Sequence, residues 1–340
     1  MRIVLCHKDT TWNGPAGGFS TAYCHLAREY VRLGHEVMIL TAREGRAPFG
    51  IQTIVVPKNQ APGARELGIV SALAQANPDV VECPSWGSEL THWLEHVHTC
   101  PVVVRIDIPC ARFPETRSTD QEDRLVRSAD ALIGISRWCI SEWQARVGRG
   151  APLIPYGVEP VRCSLSKRPG TVLWVGKATW MKGIDILADV AKELTISWHV
   201  VAVVGDSRGR RDDYVATLEQ SGVVVRRSLA EDTYQRLLCE SAVFLSTARI
   251  EGFCLAALEA MSAGAVPVVP KGIGGTLDFV SQNNGILYSS PEALVDTLAC
   301  SRNQFAVLSA EARSTAESYT WRRCARESLA VYEDSIRSWT

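Results

Sequence analysis

The sequence predicts an α/β fold with two doubly wound, Rossmann-like domains that face a cleft. Its 340 residues exceed the size at which a single hydrophobic core usually stops growing, about 250–300 residues. Short apolar runs typical of buried strands alternate with segments of helical periodicity. That alternation is interrupted after residue 153 by a stretch rich in Pro, Ser and Arg that reads as a linker, and a second series then begins.

The first domain is predicted to span residues 1–157. It opens with an apolar strand at 2–6, a polar loop, a helix that Ser20 can cap and Gly34 ends, and a strand at 37–40, which is a β-loop-α-β unit of a parallel sheet. Further strands are predicted at 51–56, 80–81, 102–106 and 131–135, and further helices at 64–76, 86–97, 120–129 and 137–147.

The second domain is predicted to span residues 158–318. Its strands are expected at 171–175, 198–204, 223–226, 243–246 and 266–269, each separated from the next by a helical segment. An amphipathic helix within residues 319–340 follows, with no strand after it.

Composition narrows the class of protein. Apolar residues make up 46% of the chain and the net charge is −1, so nucleic acid is not the expected main partner, because that would need a basic face. No run reaches the roughly 20 apolar residues of a membrane helix. The N-terminus, MRIVLCHKDT, turns polar too soon for a signal peptide.

Eleven cysteines without a CxxC pair are interpreted as reduced core thiols, which predicts a cytoplasmic protein. Seven lysines against 29 arginines suggest a GC-rich bacterial genome.

Two loops could receive an anion. In the first, residues 14–18 read GPAGG, and Gly17 and Gly18 would let the backbone approach a ligand just before a helix N-terminus. A turn that needs positive φ explains this pattern equally well. In the second loop, Gly176, Lys177 and Lys182 lie between the end of a strand and the start of a helix. Both ammonium groups could converge there on a departing diphosphate. Because the chain has only seven lysines and two of them flank this short loop, we favour that role over two solvated lysines.

Glu251 and Glu259 are the third candidate pair. Glu251 lies on a strand-to-helix loop and Glu259 about two turns into the helix, which suits a ligand with hydroxyls at two points and an anionic group between them. Acid/base glycoside chemistry, metal binding and exposed helix-face glutamates are the alternatives. The chain has no DxD pattern, which weakens a metal-dependent interpretation.

Two further patterns are ambiguous. His92 and His96 have the i, i+4 spacing of a zinc pair in an HxxEH order, but a third ligand is not evident and a solvated helix face is favoured. Arg105 and Asp107 end a strand at the edge of the sheet that faces ligands. They could form a structural ion pair or bind an acceptor.

Together these segments resemble glycosyltransferase family 4, retaining enzymes of the GT-B fold. Glu251 and Glu259 meet its E-x7-E motif in the context EGF-x-L-x-x-x-EAM. The order of the remaining segments also matches: GG, LAREYVRLGHEV, IPYGVE, WVGK…KG, GIGGTLDFV…NNGILY and TWRRCARESLAVYE. The resemblance spans nearly the whole chain.

The resemblance implies a role for each motif. Glu251 would contact hydroxyls of the donor sugar, Glu259 would hold the ribose, and Lys177 and Lys182 would neutralise the diphosphate, although the family usually has Arg at the first lysine. The C-terminal helix would cross back onto the first domain. Close approach to the donor would fall to Gly17, Gly18, Gly176, Gly252, Phe253, Cys254 and Leu255.

The sequence departs from the family pattern in several places. The usual acceptor-side histidine is missing at the strand end that reads Arg105-Ile-Asp107, so Asp107 is the candidate for its place, with His7 as another. Asp278 stands where the family has Glu, and Cys254 where it has Gly. A non-catalytic GT-B scaffold therefore remains an alternative, as does an epimerase acting on the nucleotide sugar.

The resulting hypothesis is a metal-independent, retaining hexosyltransferase that needs no cofactor. It would take a nucleotide-diphosphate sugar, with a UDP-sugar favoured, and use a front-face mechanism without a protein nucleophile. The acceptor would be a small molecule, a lipid or a saccharide. A sugar-binding face could include some of the tryptophans of the first domain: Trp12, Trp86, Trp93, Trp138 and Trp143.

Overall fold

The computed structural model describes residues 1–12, 17–45, 47–48, 50–58, 63–113, 119–163, 167–205, 212–227 and 229–339. They form two compact units, one of Met1–Gly157 with Thr320–Thr340 and the other of Val158–Tyr319. Each unit contains a parallel sheet with flanking helices, so the predicted α/β fold with two domains is confirmed. Residues 14–16 of the glycine loop and 164–166 of the linker lie outside the described residues.

The first unit has, in its described part, a six-stranded sheet of order β3-β2-β1-β4-β5-β6. Its strands are β1 (Arg2–Cys6), β2 (Glu36–Thr41), β3 (Ile51–Val55), β4 (Val80–Pro84), β5 (Val102–Ile106) and β6 (Ala131–Gly134). Its helices before the unit boundary are α1 (Gly18–Arg32), α2 (Ala64–Ala76), α3 (Thr91–His96), α4 (Asp120–Ser128) and α5 (Arg137–Val147).

Strand β1 lies at the centre of this sheet. Its side chains from Ile3 to Cys6 are completely buried, as expected for a parallel strand covered on both faces. Ile3 aligns with Val37 of β2 on one side and with Val80 of β4 on the other. The strand order reverses between β1 and β4, so the carboxyl ends of these strands border the crevice where open α/β sheets bind ligands.

The second unit has, among its described residues, a six-stranded parallel sheet of order β12-β11-β10-β7-β8-β9. Its strands are β7 (Arg168–Lys177), β8 (His199–Gly205), β9 (Val224–Arg227), β10 (Ser241–Leu245), β11 (Val266–Pro270) and β12 (Ile286–Tyr288). Its helices are α6 (Ile184–Ser197), α7 (Asp212–Gln220), α8 (Glu231–Glu240), α9 (Leu255–Ser262), α10 (Pro291–Cys300) and α11 (Phe305–Glu317). Here the order reverses between β7 and β10, which places the loops after these two strands at the ligand-binding edge.

The C-terminal helix, α12 (Trp321–Ser338), belongs to the first unit. Trp321 stacks on His25 of α1, with ring centroids 4.9 Å apart and planes 4° from parallel. Further along, the hydroxyl groups of Tyr332 and Tyr30 lie 3.0 Å apart. The helix thus packs on α1 through aromatic contacts at its first residue, Trp321, and in its second half, at Tyr332.

The prediction that all cysteines are reduced is wrong for two of them. Cys163 and Cys239 form a disulfide, with Cα atoms 5.3 Å apart. The pairing joins residues 76 positions apart in sequence, and such a separation leaves no local signal in the chain. Most of the other cysteines are buried as small core residues. Among the described residues, no helix has the length and apolar character needed to cross a membrane.

Candidate functional site

The loops after β7 and β10 meet at the edge where the second sheet reverses its strand order. Thr247, just after β10, joins them: its Oγ1 donates to the carbonyl oxygen of Gly183 at 2.8 Å and accepts from Trp174 Nε1 at 3.0 Å. Gly183 precedes α6 with φ of 64°, and a Cβ there would lie 1.9 Å from the carbonyl oxygen of Thr247. This close approach requires glycine, because any side chain would push the two loops apart.

Arg249 fixes the same two loops more firmly. Its guanidinium donates to both carboxylate oxygens of Asp185, at 2.8 and 2.7 Å, and to the carbonyl oxygen of Trp180 at 3.0 Å. It also lies over the Trp180 ring, 5.2 Å from the centroid. The hydrogen bonds from Arg249 lower the pKa of the Asp185 carboxyl, so this pair is ionised at neutral pH. The loop that contains Lys182 is therefore held in place against the loop that contains Glu251.

The structure brings Lys182 and Glu251 together. Lys182 Nζ donates to Glu251 Oε2 at 2.5 Å, with side chains 23% and 10% exposed respectively. The main chain of Glu251 is held by a third loop, because its carbonyl oxygen accepts from the N–H of Gly275 at 2.8 Å. Lys177, at the end of β7, is exposed. A cation and a carboxylate thus lie side by side where two predicted motifs converge.

The segment between Glu251 and α9 has an unusual backbone. Cys254 is the N-cap of α9 and has φ of 74°, a left-handed conformation that favours glycine. The left-handed backbone gives a physical reason for the glycine that the family resemblance leads us to expect at position 254. Burial raises the pKa of the Cys254 thiol to about 12, so the thiol stays protonated at neutral pH. Phe253 is buried against Phe279 at 5.1 Å between centroids, so its ring belongs to the core.

Glu259 lies on α9 and has a partner that sequence reasoning missed. Tyr234 on α8 donates its hydroxyl hydrogen to Glu259 Oε2 at 2.7 Å. Burial raises the pKa of Glu259, and the hydrogen bond from Tyr234 opposes that rise. Tyr234 lies in no recognised motif, and no spacing rule connects it to a residue 25 positions away on another helix.

In the first unit, His7 follows β1 and Asp107 follows β5, two strands that are separated by β4 in the sheet. His7 is buried, with Nδ1 2.9 Å from Thr10 Oγ1. Asp107 is half-buried, and its backbone N–H donates to Ser85 Oγ at 3.2 Å. Its carbonyl oxygen accepts from Trp143 Nε1 at 2.7 Å. An acceptor role for either side chain stays a prediction.

Arg105 does not take the acceptor-side position considered for it. Its side chain is 0% exposed, and Nε and Nη2 donate to the two carboxylate oxygens of Glu82 at 2.8 and 2.9 Å. Asp107 is not its ion-pair partner. Arg105 therefore forms a structural ion pair, but with Glu82 in place of the predicted Asp107. Its complete burial argues against a contact between its side chain and an acceptor.

The glycine loop and the histidine pair of the first unit have no special backbone or ligand geometry among the described residues. Gly17 precedes α1 with φ of −81°, and Gly18 is the first residue of that helix. The alternative interpretation of these two glycines, a turn that needs positive φ, is therefore wrong. The rings of His92 and His96 are 4.5 Å apart, yet no group of three or more metal-ligating side chains occurs among the described residues.

Of the five tryptophans considered for a sugar-binding face, Trp93 and Trp143 are core residues. Trp86, by contrast, is 38% exposed just after β4. Its ring packs edge-on against Phe113, with centroids 5.1 Å apart.

Two doubly wound α/β units define the GT-B class of fold, and the second has a lysine–glutamate pair and a half-buried glutamate, Glu259, beside its switch point. The family comparisons agree. Residues 17–157 match the model described as "Glycosyl transferase 4-like domain" and residues 169–301 match "Glycosyl transferases group 1". Both units are therefore glycosyltransferase-family domains in a GT-B fold.

Solved structures show the same fold. Sucrose-phosphate synthase from Thermosynechococcus elongatus superposes over 99% of both chains with a TM-score of 0.86 at 15% identity. Anabaena HepE in complex with UDP-glucose matches 99% of this chain and 100% of its own, with a TM-score of 0.79 at 18% identity.

Two curated relatives match part of the sequence. The chain is 28% identical over 165 residues to a glycogen synthase of Deinococcus deserti. It is 29% identical over 174 residues to an uncharacterized glycosyltransferase of Methanocaldococcus jannaschii. These alignments take in 37% and 44% of the relatives' own lengths, which is less than half of either protein.

Proposed function

We propose that the protein is a retaining glycosyltransferase that moves a sugar from a nucleotide-diphosphate donor to an acceptor hydroxyl and requires no metal ion. The observation that supports this most strongly is the 2.5 Å contact between Lys182 Nζ and Glu251 Oε2. Without donor, the two charges neutralise each other. With donor, the ammonium group turns to the diphosphate and the carboxylate to a sugar hydroxyl, so both charges are already in place.

Leaving-group stabilisation is the main chemical task of such a site. Lys177, Lys182 and the N-terminal turn of α9 supply positive charge and N–H donors where the diphosphate departs. Glu251 orients the sugar, and Glu259 accepts hydrogen bonds from the ribose hydroxyls. Close backbone approach falls to Gly176 and to residues 252–255.

The proposed step is a front-face displacement. The acceptor oxygen attacks the anomeric carbon from the side on which the bond to the diphosphate oxygen breaks. The hydroxyl proton passes to the departing phosphate oxygen, which balances the charge that develops there. Because attack and departure share one face, the anomeric configuration is retained without a protein nucleophile.

A UDP-sugar is the favoured donor, supported by the likeness of the fold to a protein solved with UDP-glucose. The acceptor would bind at the strand ends of the first unit, with Asp107, His7 and Trp86 as the candidate contacts. A small molecule, a lipid and a saccharide are all compatible acceptor classes.

Replacing Lys182 by Ala tests the assignment. We expect the rate of nucleoside diphosphate release from the donor to fall by about 10²–10³, because a preorganised charge on the leaving group is lost. The measurement compares UDP-, GDP- and ADP-sugars with the wild type and with Lys192→Ala, an exposed lysine on α6. Lys192→Ala should keep the wild-type rate.

Near-wild-type turnover in Lys182→Ala would contradict the assignment. Product analysis distinguishes the alternatives from transfer. A changed nucleotide sugar formed without acceptor would indicate an epimerase, and donor binding without any turnover would indicate a scaffold.

A further inference from the structure

We propose that Tyr234 is a positioning residue of the nucleotide site: its hydroxyl holds the Glu259 carboxylate in the orientation and charge state that bind the ribose. This inference rests on the proposed function, since it assumes that Glu259 contacts a nucleotide. Tyr234 itself is not assigned a contact with substrate.

The geometry gives the two carboxylate oxygens of Glu259 different roles: Oε2 bonds to Tyr234, and Oε1 would bind the ribose. Tyr234 donates to Glu259 Oε2 at 2.7 Å, a length typical of a strong hydrogen bond from a hydroxyl to a carboxylate. That bond restricts the rotation of the Glu259 side chain and leaves Oε1 for the two ribose hydroxyls. The two residues lie on α8 and α9, which pack against each other, so the contact is fixed by helix packing.

The contact between Tyr234 and Glu259 also affects the pKa of the Glu259 carboxyl. Burial raises the pKa of Glu259, the hydrogen bond from Tyr234 lowers it, and the nearby Glu231 at the start of α8 raises it. Cys254, at the N-cap of α9, is a further titratable neighbour among the described residues. Both the Cys254 thiol and the Tyr234 phenol have a pKa raised by burial and stay neutral near pH 7. Because those two side chains are neutral, Glu231 is the one of these neighbours whose charge acts on the pKa of Glu259 near pH 7.

An ionised Glu259 accepts hydrogen bonds from both ribose hydroxyls, whereas a protonated one presents a donor of its own. Removing the Tyr234 hydroxyl raises the pKa of Glu259 further, so nucleotide affinity should be lost at a higher pH as the solution is acidified. Removing the Glu231 charge lowers the pKa of Glu259 and should shift this loss to a lower pH.

The experiment measures UDP binding to the full chain by calorimetry between about pH 5 and pH 8. We expect Tyr234→Phe to bind UDP about tenfold more weakly near pH 7, as one hydrogen bond to a charged group is lost. The pH at which affinity falls should rise in Tyr234→Phe and drop in Glu231→Gln. In turnover assays, KM for the donor should rise more than kcat falls.

Tyr288→Phe is the matched control. It also removes one phenol hydrogen bond in the same unit, from Tyr288 to the carbonyl oxygen of Ser246 at 2.9 Å. A general loss of stability would affect both tyrosine variants, but the control should keep the wild-type pH dependence. Glu231→Gln alters an exposed residue and tests the same idea should Tyr234→Phe fold poorly.

Two results would overturn the inference in different ways. If the wild type binds UDP and neither Tyr234→Phe nor Glu231→Gln changes the pH dependence, Tyr234 has no positioning role and the proposed function stands. If the wild type binds none of UDP, GDP and ADP, the proposed function fails and the inference fails with it.

Discussion

Single backbone positions determine the shape of the proposed donor site. Gly274 has φ of 62°, and a Cβ there would lie 2.0 Å from the carbonyl oxygen of Glu251. Gly272, two residues earlier, also has positive φ, of 80°, but a Cβ would have open space. The same substitution at the two positions therefore compares a positive φ in open space with a glycine-only conformation at a close contact.

We predict that Gly274→Ala lowers the free energy of unfolding by at least about 2 kcal/mol more than Gly272→Ala does. Gly272→Ala incurs the strain of an alanine at positive φ, roughly 1 kcal/mol. Gly274→Ala incurs more, because its ψ of −164° places Gly274 in a region that essentially only glycine adopts. In Gly274→Ala alone, the loop must also move away from Glu251, so donor turnover should fall as well. Urea unfolding and the nucleoside diphosphate release assay measure the two effects. Equal losses of stability would show that the two loops are not in contact.

At the scale of elements, α12 closes a buried polar network in the first unit. Glu82 on β4 and Arg105 on β5 form an ion pair with both side chains 0% exposed. Helix α12 completes it, because Ser328 Oγ accepts from Arg105 and Tyr332 donates its hydroxyl hydrogen to Glu82. Two charges can remain buried here only because each has several partners.

We predict that Arg105→Leu destabilises the protein by about 3–5 kcal/mol, since it leaves the Glu82 carboxylate buried without its counterion. The double variant Glu82→Leu/Arg105→Leu should recover much of that loss. Calorimetric melting temperatures would show the recovery. A fully stable Arg105→Leu with impaired turnover would instead restore the acceptor-side role that the structure argues against.

At the scale of the whole molecule, the disulfide is the longest covalent constraint seen in the described residues. It joins Cys163, just after the boundary between the two units, to Cys239 near the end of α8. A cross-link that closes a loop of 76 residues restricts the unfolded chain strongly. The start of the second unit is thereby tied to the helix that bears Tyr234.

We predict that dithiothreitol lowers the free energy of unfolding by about 2–4 kcal/mol. Cys163→Ser should show the same loss and no further response to the reductant. Cys300→Ser, at an exposed free cysteine, should behave like the wild type. Non-reducing peptide mapping identifies the linkage directly. A wild type with eleven titratable thiols after unfolding without reductant would contradict it.

Strand and helix periodicity predicted the two α/β units because buried parallel strands leave apolar runs in the sequence. The prediction was incomplete where a polar residue interrupts a run. The strand predicted at 80–81 extends to Pro84, because Arg105 on the adjacent strand neutralises Glu82. Strand β12 has three residues, too few for its periodicity to be recognised.

The sequence by itself predicted that Lys182 and Glu251 lie on loops and Glu259 within a helix, as the structure has them. Their binding of a nucleotide sugar stays a prediction. The tertiary structure decided their partners: Lys182 with Glu251, 69 residues away, and Glu259 with Tyr234. It also paired Arg105 with Glu82, and Cys163 with Cys239. Periodicity records which face of an element is buried, whereas side-chain pairing depends on sheet order and helix packing, which only the folded chain establishes.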